Sequence, residues 1–270
     1  MRFFSAKPLL VAALTFAGLL TAYDLKEEKE PQGGLKIRLD YDVATKWPKE
    51  AKGRDGEESN QAPRNWLFSS HVSYLKSVSE ITDGQLWQLA FDAYREMEDE
   101  CAAYAIGKKS IPGVMTILAV GEEIFLSSSQ KGVDYTYKMA QDTPVRQSLE
   151  MCRLVWRDQG QEAQDEHKNK GACGEPMVAQ QYYSIHEKPL KERDPKPRVG
   201  TVGRRGRDYI PMDPCGTAPE EDYWGCNLFV EDQGLIVLDR NISPEPVDYK
   251  TVAGGITGID QVKMCTVNSD

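Results

Sequence analysis

The sequence has no excess of positive charge, since its 270 residues carry 33 Lys or Arg against 42 Asp or Glu, a formal net charge of −9. So acidic a chain is a poor candidate for a protein whose main activity is non-specific binding of nucleic acid. It also lacks internal repeats and low-complexity tracts, and no apolar run after residue 22 is long enough to span a bilayer. With 40% apolar residues, a chain of this length suits one sizeable core, and we expect one domain with appendages rather than two full domains.

The N-terminus has the layout of a secretory signal peptide. Two basic residues precede an apolar run from Leu9 to Leu20, and the small residue Ala22 stands before a charged stretch. We therefore expect residues 1–22 to be removed and the protein to be secreted into the extracellular space. No membrane span is expected to remain after the signal is removed.

Residues 23–64 are rich in Lys, Glu, Gly and Pro and poor in large apolar side chains. Because this composition buries little surface, it predicts a flexible charged segment. Within the segment, apolar and polar residues alternate from Leu35 to Val43 with the period of a strand. This stretch is interpreted either as an edge strand or as a region without regular structure.

Residues 65–270 have the pattern of one folded domain. The stretch 83–106 begins with Thr82 and Gln85 at capping-box spacing and continues with apolar residues at helical intervals, which predicts an amphipathic helix. Two β-rich runs, 114–120 and 124–128, are separated by a short turn with glycine and predict a hairpin.

The remaining pattern extends this domain. It predicts a helix around residues 145–156, a helix opened by Cys173, a strand near 199–202, a loop from 214 to 226 and an apolar hairpin within 228–239. The order indicates an α/β fold, a three-layer or two-layer sandwich with a central mixed β-sheet flanked by helices.

Two short stretches are the clearest candidates for a functional site. One is Cys173-Gly174-Glu175, and the other runs from Pro214-Cys215 to Cys226. They resemble the signature of the zinc-dependent cytidine deaminase superfamily. In that signature a His or Cys, any residue and then Glu begin one helix, and Pro-Cys with a second Cys begins the next. Ten residues lie between the two downstream cysteines here, whereas the usual gap is two. The resemblance covers residues 83–239 and extends to deaminase-type toxins and effectors that microbes, fungi included, secrete.

The resemblance implies a cytidine deaminase-like fold and a set of roles. Cys173, Cys215 and Cys226 would bind Zn2+, and Glu175 would transfer protons in the hydrolytic deamination of a cytosine- or adenine-type base in a nucleoside or nucleic acid. Three protein ligands leave a fourth position for water, as this chemistry needs. Helix N-termini would favour the thiolate form of the ligands.

Substrate contacts are predicted beside these residues. Trp224 precedes Cys226 closely and could stack on a base, although packing is an equally ordinary role for it. Arg204, Arg205 and Arg207 belong to a basic run that is either a phosphate-contacting rim or a solvated loop. His167, six residues before Cys173, is interpreted mainly as a solvated loop residue and otherwise as a ligand or a substrate contact.

Six cysteines in a secreted chain are also compatible with a disulfide framework. In that case the protein would be a catalytically inert effector with a disulfide-stabilised fold, and its partner would be a host-cell protein. Geometry separates the two interpretations. A metal site requires Cys173, Cys215 and Cys226 to converge with Glu175 in one cleft, whereas a disulfide joins only two sulfurs.

Overall fold

The computed structural model describes residues 23–46, 64–132, 143–160, 166–218 and 223–264. The predicted signal peptide and Cys265 lie outside the described residues, and so does most of the predicted flexible segment after residue 46.

Eight strands and five α-helices lie in the described parts of the chain. The strands are β1 (Arg38–Leu39), β2 (Phe68–Tyr74), β3 (Val114–Val120), β4 (Glu123–Ser128), β5 (Arg198–Arg205), β6 (Asp208–Met212), β7 (Ile236–Val237) and β8 (Ile256–Asp260). The helices are α1 (Tyr41–Lys46), α2 (Asp83–Ala103), α3 (Pro144–Asp158), α4 (Gly174–Ile185) and α5 (Cys226–Asp232).

The strands form one open eight-stranded sheet in the order β1-β2-β4-β3-β5-β6, with β8 beside β2 and β7 beside β5. Neighbouring strands are antiparallel except for the parallel pair β5 and β7. The predicted hairpin is confirmed, since β3 and β4 pair from Met115 with Ser128 to Val120 with Glu123. The predicted α/β class is therefore confirmed.

The two faces of β3 point into separate apolar cores because successive side chains of a strand alternate between faces. Met115 and Ile117 join the core beneath α2. Leu118 and Val120 join a second core beneath α4, to which α3 and α5 also contribute. The sheet is thus the middle of three layers.

Helix α2 forms as its sequence predicts. Thr82 Oγ1 accepts a hydrogen bond from the Gln85 amide, and Gln85 Oε1 accepts one from the Thr82 amide, both at 3.1 Å. This capping box satisfies two backbone donors, and such a cap stabilises a helix by about 1 kcal/mol. Leu86, Ala90 and Met97 are fully buried on the face that covers the sheet.

Of the two interpretations of residues 35–43, the structure agrees with the edge strand, but only over the two residues of β1, which pairs with β2 before α1 begins. Leu35, Ile37 and Leu39 are buried in the α2 core. The Glu96 carboxylate of α2 accepts hydrogen bonds from the backbone N–H groups of Leu35 at 2.8 Å and Ile37 at 3.3 Å. A side chain on α2 therefore satisfies backbone groups here that a strand neighbour would satisfy in a sheet.

The hairpin predicted within residues 228–239 is wrong. The chain forms helix α5 and then the two-residue strand β7. Phe229 and Val230 are buried in the second core, so their apolar character serves one face of a helix. Gly234 follows the helix with a φ of 66°, the left-handed conformation that commonly ends a helix.

Candidate metal centre

The first part of the site is the start of α4, which lies directly against the sheet. Cys173 is the N-cap residue and Glu175 stands in the first turn. A Cβ atom on Gly174 would lie 2.0 Å from Thr116 Oγ1, so this close approach requires glycine. The glycine thereby allows the start of α4, with Cys173 and Glu175, to lie against Thr116 of β3.

The second part is the loop that joins β6 to α5. The Asn227 amide donates to the Cys215 carbonyl oxygen at 3.0 Å, and the Cys226 amide donates to Cys215 Sγ at 3.2 Å. A Cβ atom on Gly225 would lie 2.7 Å from Cys215 Sγ. The long gap between the two cysteines therefore does not keep them apart, because the loop returns to the start of α5.

The third part is a turn that begins at His167, a side chain that is only 6% exposed. The backbone amides of Asn169 and Gly171 both donate to His167 Nδ1 at 3.0 Å. The opposite nitrogen, Nε2, lies 3.5 Å from Cys226 Sγ and 3.9 Å from Cys215 Sγ. The imidazole thus links the turn to the cysteines.

One donor atom from each of His167, Cys173, Cys215 and Cys226 lies within 4.8 Å of all the others. Cys173 Sγ and Cys215 Sγ are 3.6 Å apart. Tetrahedral coordination with Zn–S bonds of about 2.3 Å would separate two sulfurs by about 3.8 Å, whereas a disulfide has an S–S bond of about 2.05 Å. The predicted convergence of the three cysteines is confirmed, and the group has the geometry to hold a metal ion.

The cysteines that the structure describes form no disulfide. Cys101 in α2, Cys152 in α3 and the three cysteines of the cluster are all free thiols. Cys101 and Cys152 are buried in the two different cores, on opposite faces of the sheet. Within the described residues, the structure therefore contains none of the disulfide bonds that the alternative interpretation of the sequence requires.

The three thiols of the cluster have pKa values that are shifted in different directions. Hydrogen bonds from the thiols of Cys173 and Cys226 lower the pKa of Cys215. The same contact with Cys215 raises the pKa of Cys173, and burial raises the pKa of Cys226. The direction of these shifts makes Cys215, the half-buried member of this group, the thiol that loses its proton most readily.

Glu175 is almost fully buried next to the cysteines. Its Oε1 accepts a hydrogen bond from Thr201 Oγ1 at 2.9 Å, and Thr201 Oγ1 lies 2.8 Å from Thr116 Oγ1. Since the Thr201 hydroxyl donates its one hydrogen bond to Glu175, it accepts a hydrogen bond from the Thr116 hydroxyl. Burial and then the charge of Cys215 raise the pKa of Glu175, so its surroundings favour the protonated carboxyl group.

Of the four predicted substrate contacts, Trp224 contacts a member of the cluster. Trp224 is 4% exposed and packs edge-on against the His167 ring with centroids 4.9 Å apart, which is a packing role. Arg204 pairs with Glu98 of α2, on the opposite face of the sheet from α4. Arg205 and Arg207 are exposed at the β5–β6 turn, and within the described residues no hydrogen bond or ion pair joins any of the three arginines to the cluster.

Sequence reasoning undervalued His167 and missed Thr201. The neighbours of His167 are polar and exposed, which favoured a solvated loop, but its ring turns inward because it caps the backbone of its own turn. The spacing of six residues before Cys173 was the available signal. Thr201 lies on a buried strand, and only the pairing of β3 with β5 reveals that it faces α4.

Comparison of the chain with protein-family models, with curated proteins and with solved structures finds no match. None of the helices in the described ranges is both long and apolar enough to cross a membrane.

Proposed function

We propose that the protein is a secreted zinc-dependent hydrolytic deaminase that acts on a cytosine- or adenine-type base in a nucleoside or nucleic acid. The observation that carries this proposal is the buried Glu175 carboxyl group beside three convergent cysteine sulfurs. The succession of α2, the β3–β4 hairpin, α4, β5 and α5 also agrees with the cytidine deaminase-like fold that the sequence resembles. Secretion follows from the N-terminal sequence.

Cys173, Cys215 and Cys226 would hold the zinc ion. Thiolate sulfur is a preferred donor for Zn2+, and the observed spacing is close to that of tetrahedral coordination. When bound, zinc supplies Lewis acidity that lowers the pKa of a water molecule. The N-terminal amides of α4 and the positive end of its dipole stabilise negative charge next to Cys173.

Glu175 would carry the protons. It would accept one proton from the water molecule and pass it to the ring nitrogen of the base while the water oxygen forms a bond to the amine-bearing carbon. It would then take the remaining proton of that oxygen and pass it to the amine, so that the C–N bond breaks, a C=O bond forms and ammonia leaves. The hydrogen bond from Thr201 to Oε1 would orient the carboxyl group for this proton transfer.

The proposal is tested by metal analysis together with an assay for ammonia release. The substrates are cytidine, adenosine and short single-stranded oligonucleotides that contain either base. We expect about one zinc per chain. Cys173→Ala should lose the metal, whereas Glu175→Gln should retain it and lose deamination by about 10²–10⁴-fold.

The matched control for the carboxylate is Glu122→Gln, at the exposed turn between β3 and β4, which should change neither quantity. A protein without zinc would contradict the proposal. So would a zinc-loaded protein that deaminates neither type of base.

A non-catalytic secreted protein that binds a host-cell protein is the second candidate. It is favoured by the presence of four donors within 4.8 Å, since structural zinc sites have four protein ligands and no open position. Such a protein would bind zinc as tightly as the enzyme and would show no deamination. The two candidates differ in the role of His167.

A further inference from the structure

The role of His167 decides whether the metal has an open coordination position. We infer that His167 is not a zinc ligand but donates a hydrogen bond from Nε2 to the cysteine sulfurs, so that the three cysteines alone hold the ion. This inference rests on the proposed metal site. It adds a positioning residue to that site and assigns the fourth coordination position to water.

The tautomer of His167 is fixed by its own turn. The amides of Asn169 and Gly171 both donate to Nδ1 at 3.0 Å, so Nδ1 presents its lone pair. A neutral imidazole has one acceptor nitrogen and one N–H group. The proton is therefore on Nε2, and a protonated nitrogen has no lone pair for a metal.

Coordination through Nε2 would require the opposite tautomer. A proton on Nδ1 would then face the two amides, and three donors would meet without an acceptor. Histidines that bind metals usually donate their other N–H group to a carboxylate, a carbonyl or water. The hydrogen bonds recorded at Nδ1 come from donors instead, so the surroundings of this ring oppose ligation.

The same tautomer suits a donor to thiolates. Nε2 lies 3.5 Å from Cys226 Sγ and 3.9 Å from Cys215 Sγ, and the edge-on contact with Trp224 holds the ring in this orientation. An N–H group pointing at two sulfurs offsets part of their negative charge. The ring thereby supports the three-cysteine site without occupying the fourth coordination position of the metal. The water molecule from which Glu175 takes a proton can bind at that position.

The test uses the full chain loaded with zinc. X-ray absorption at the zinc edge should show three sulfurs and one light atom, without the outer-shell scattering of an imidazole ring. In a long-range proton–nitrogen NMR spectrum His167 should carry its proton on Nε2. The chain has only three histidines, so His167→Gln and the control His186→Gln assign the signals.

Zinc affinity supplies a second measurement. His167→Gln retains an amide donor and should stay within about tenfold of the unaltered protein, whereas His167→Phe should lose about 10–100-fold, as expected when a residue that supports a ligand is removed. Cys226→Ala, which removes a ligand, should lose more than either. His186→Gln should bind zinc normally, because His186 pairs with Glu123 at the far end of α4.

The outcomes distinguish this inference from the proposed function. Imidazole scattering that disappears in His167→Gln would overturn the inference and identify a closed site. Absence of zinc from the unaltered protein would overturn both. Zinc bound by three sulfurs without imidazole, in a protein that deaminates neither base, would support the inference and refute the proposed enzyme.

Discussion

Gly174→Ala is expected to damage the metal site through a single methyl group. The added Cβ would lie 2.0 Å from Thr116 Oγ1 and 2.8 Å from Thr116 Cβ, closer than real Cβ atoms come to any neighbour. Relief of this clash requires a shift of about 1 Å at the start of α4, whereas metal–ligand distances tolerate only about 0.2 Å. Because Cys173 moves with the helix, zinc affinity should fall by at least tenfold.

The same substitution should lower the free energy of unfolding. Overpacking of this kind costs about 1–3 kcal/mol, and the higher helix propensity of alanine offsets at most about 1 kcal/mol. The measurements are urea unfolding of the metal-free protein and zinc competition with a chromophoric chelator. Thr116→Ala in the same chain removes the closest atom and should restore part of both losses.

Gly113→Ala is the matched control, since a Cβ there would meet nothing within 4 Å. It should leave zinc affinity unchanged and should stabilise the protein by about 0.4–1 kcal/mol through the unfolded state. If Gly174→Ala binds zinc like the unaltered protein and unfolds within about 0.5 kcal/mol of it, the start of α4 does not determine the geometry of the site.

Three further predictions test other contacts. Gly225→Ala should weaken zinc binding because its Cβ would lie only 2.7 Å from Cys215 Sγ. The chelator competition measures this loss, and the number of free thiols should not change. Normal zinc affinity would contradict the prediction. Thr201→Val should lower the deamination rate with zinc retained and Thr201→Ser should restore it; equal rates for both would exclude a positioning role. Burial raises the pKa of Glu123, but hydrogen bonds from His71 and His186 outweigh it and leave the pKa lowered. The stabilisation that the Glu123 carboxylate gives should therefore be present above its unfolded-state pKa and disappear as pH falls through its folded-state pKa. In urea unfolding, the difference in stability between the unaltered protein and Glu123→Gln should shrink on acidification. A difference that grows would refute this prediction.

Local signals in the sequence were sufficient for part of the fold. The capping box at Thr82 and Gln85 predicts α2, and Gly121 between two β-rich runs predicts the β3–β4 hairpin, since each feature depends on neighbouring residues. The hairpin predicted near Phe229 failed because a short apolar run does not distinguish a strand from a short buried helix.

The rest depends on contacts between distant parts of the chain. Leu35 is ordered by Glu96, which lies 61 residues further on. Arg204 and Thr201 lie on one strand but on opposite faces of the sheet, and the pairing of β5 fixes which face each occupies. For the site, the three cysteines and Glu175 were predictable from their motif, whereas the tautomer of His167 becomes visible only from the turn that its ring caps.

A metal ion at this centre would also act as a cross-link. It would tie Cys173 to Cys215, 42 residues apart in the sequence, through bonds that the unfolded chain does not make. By loop-closure entropy, a permanent link of this span restricts the unfolded chain by about 4 kcal/mol. In an extracellular setting, where small domains usually obtain this restraint from disulfides, one ion would give similar resistance to unfolding and proteolysis while the sulfurs stay reduced.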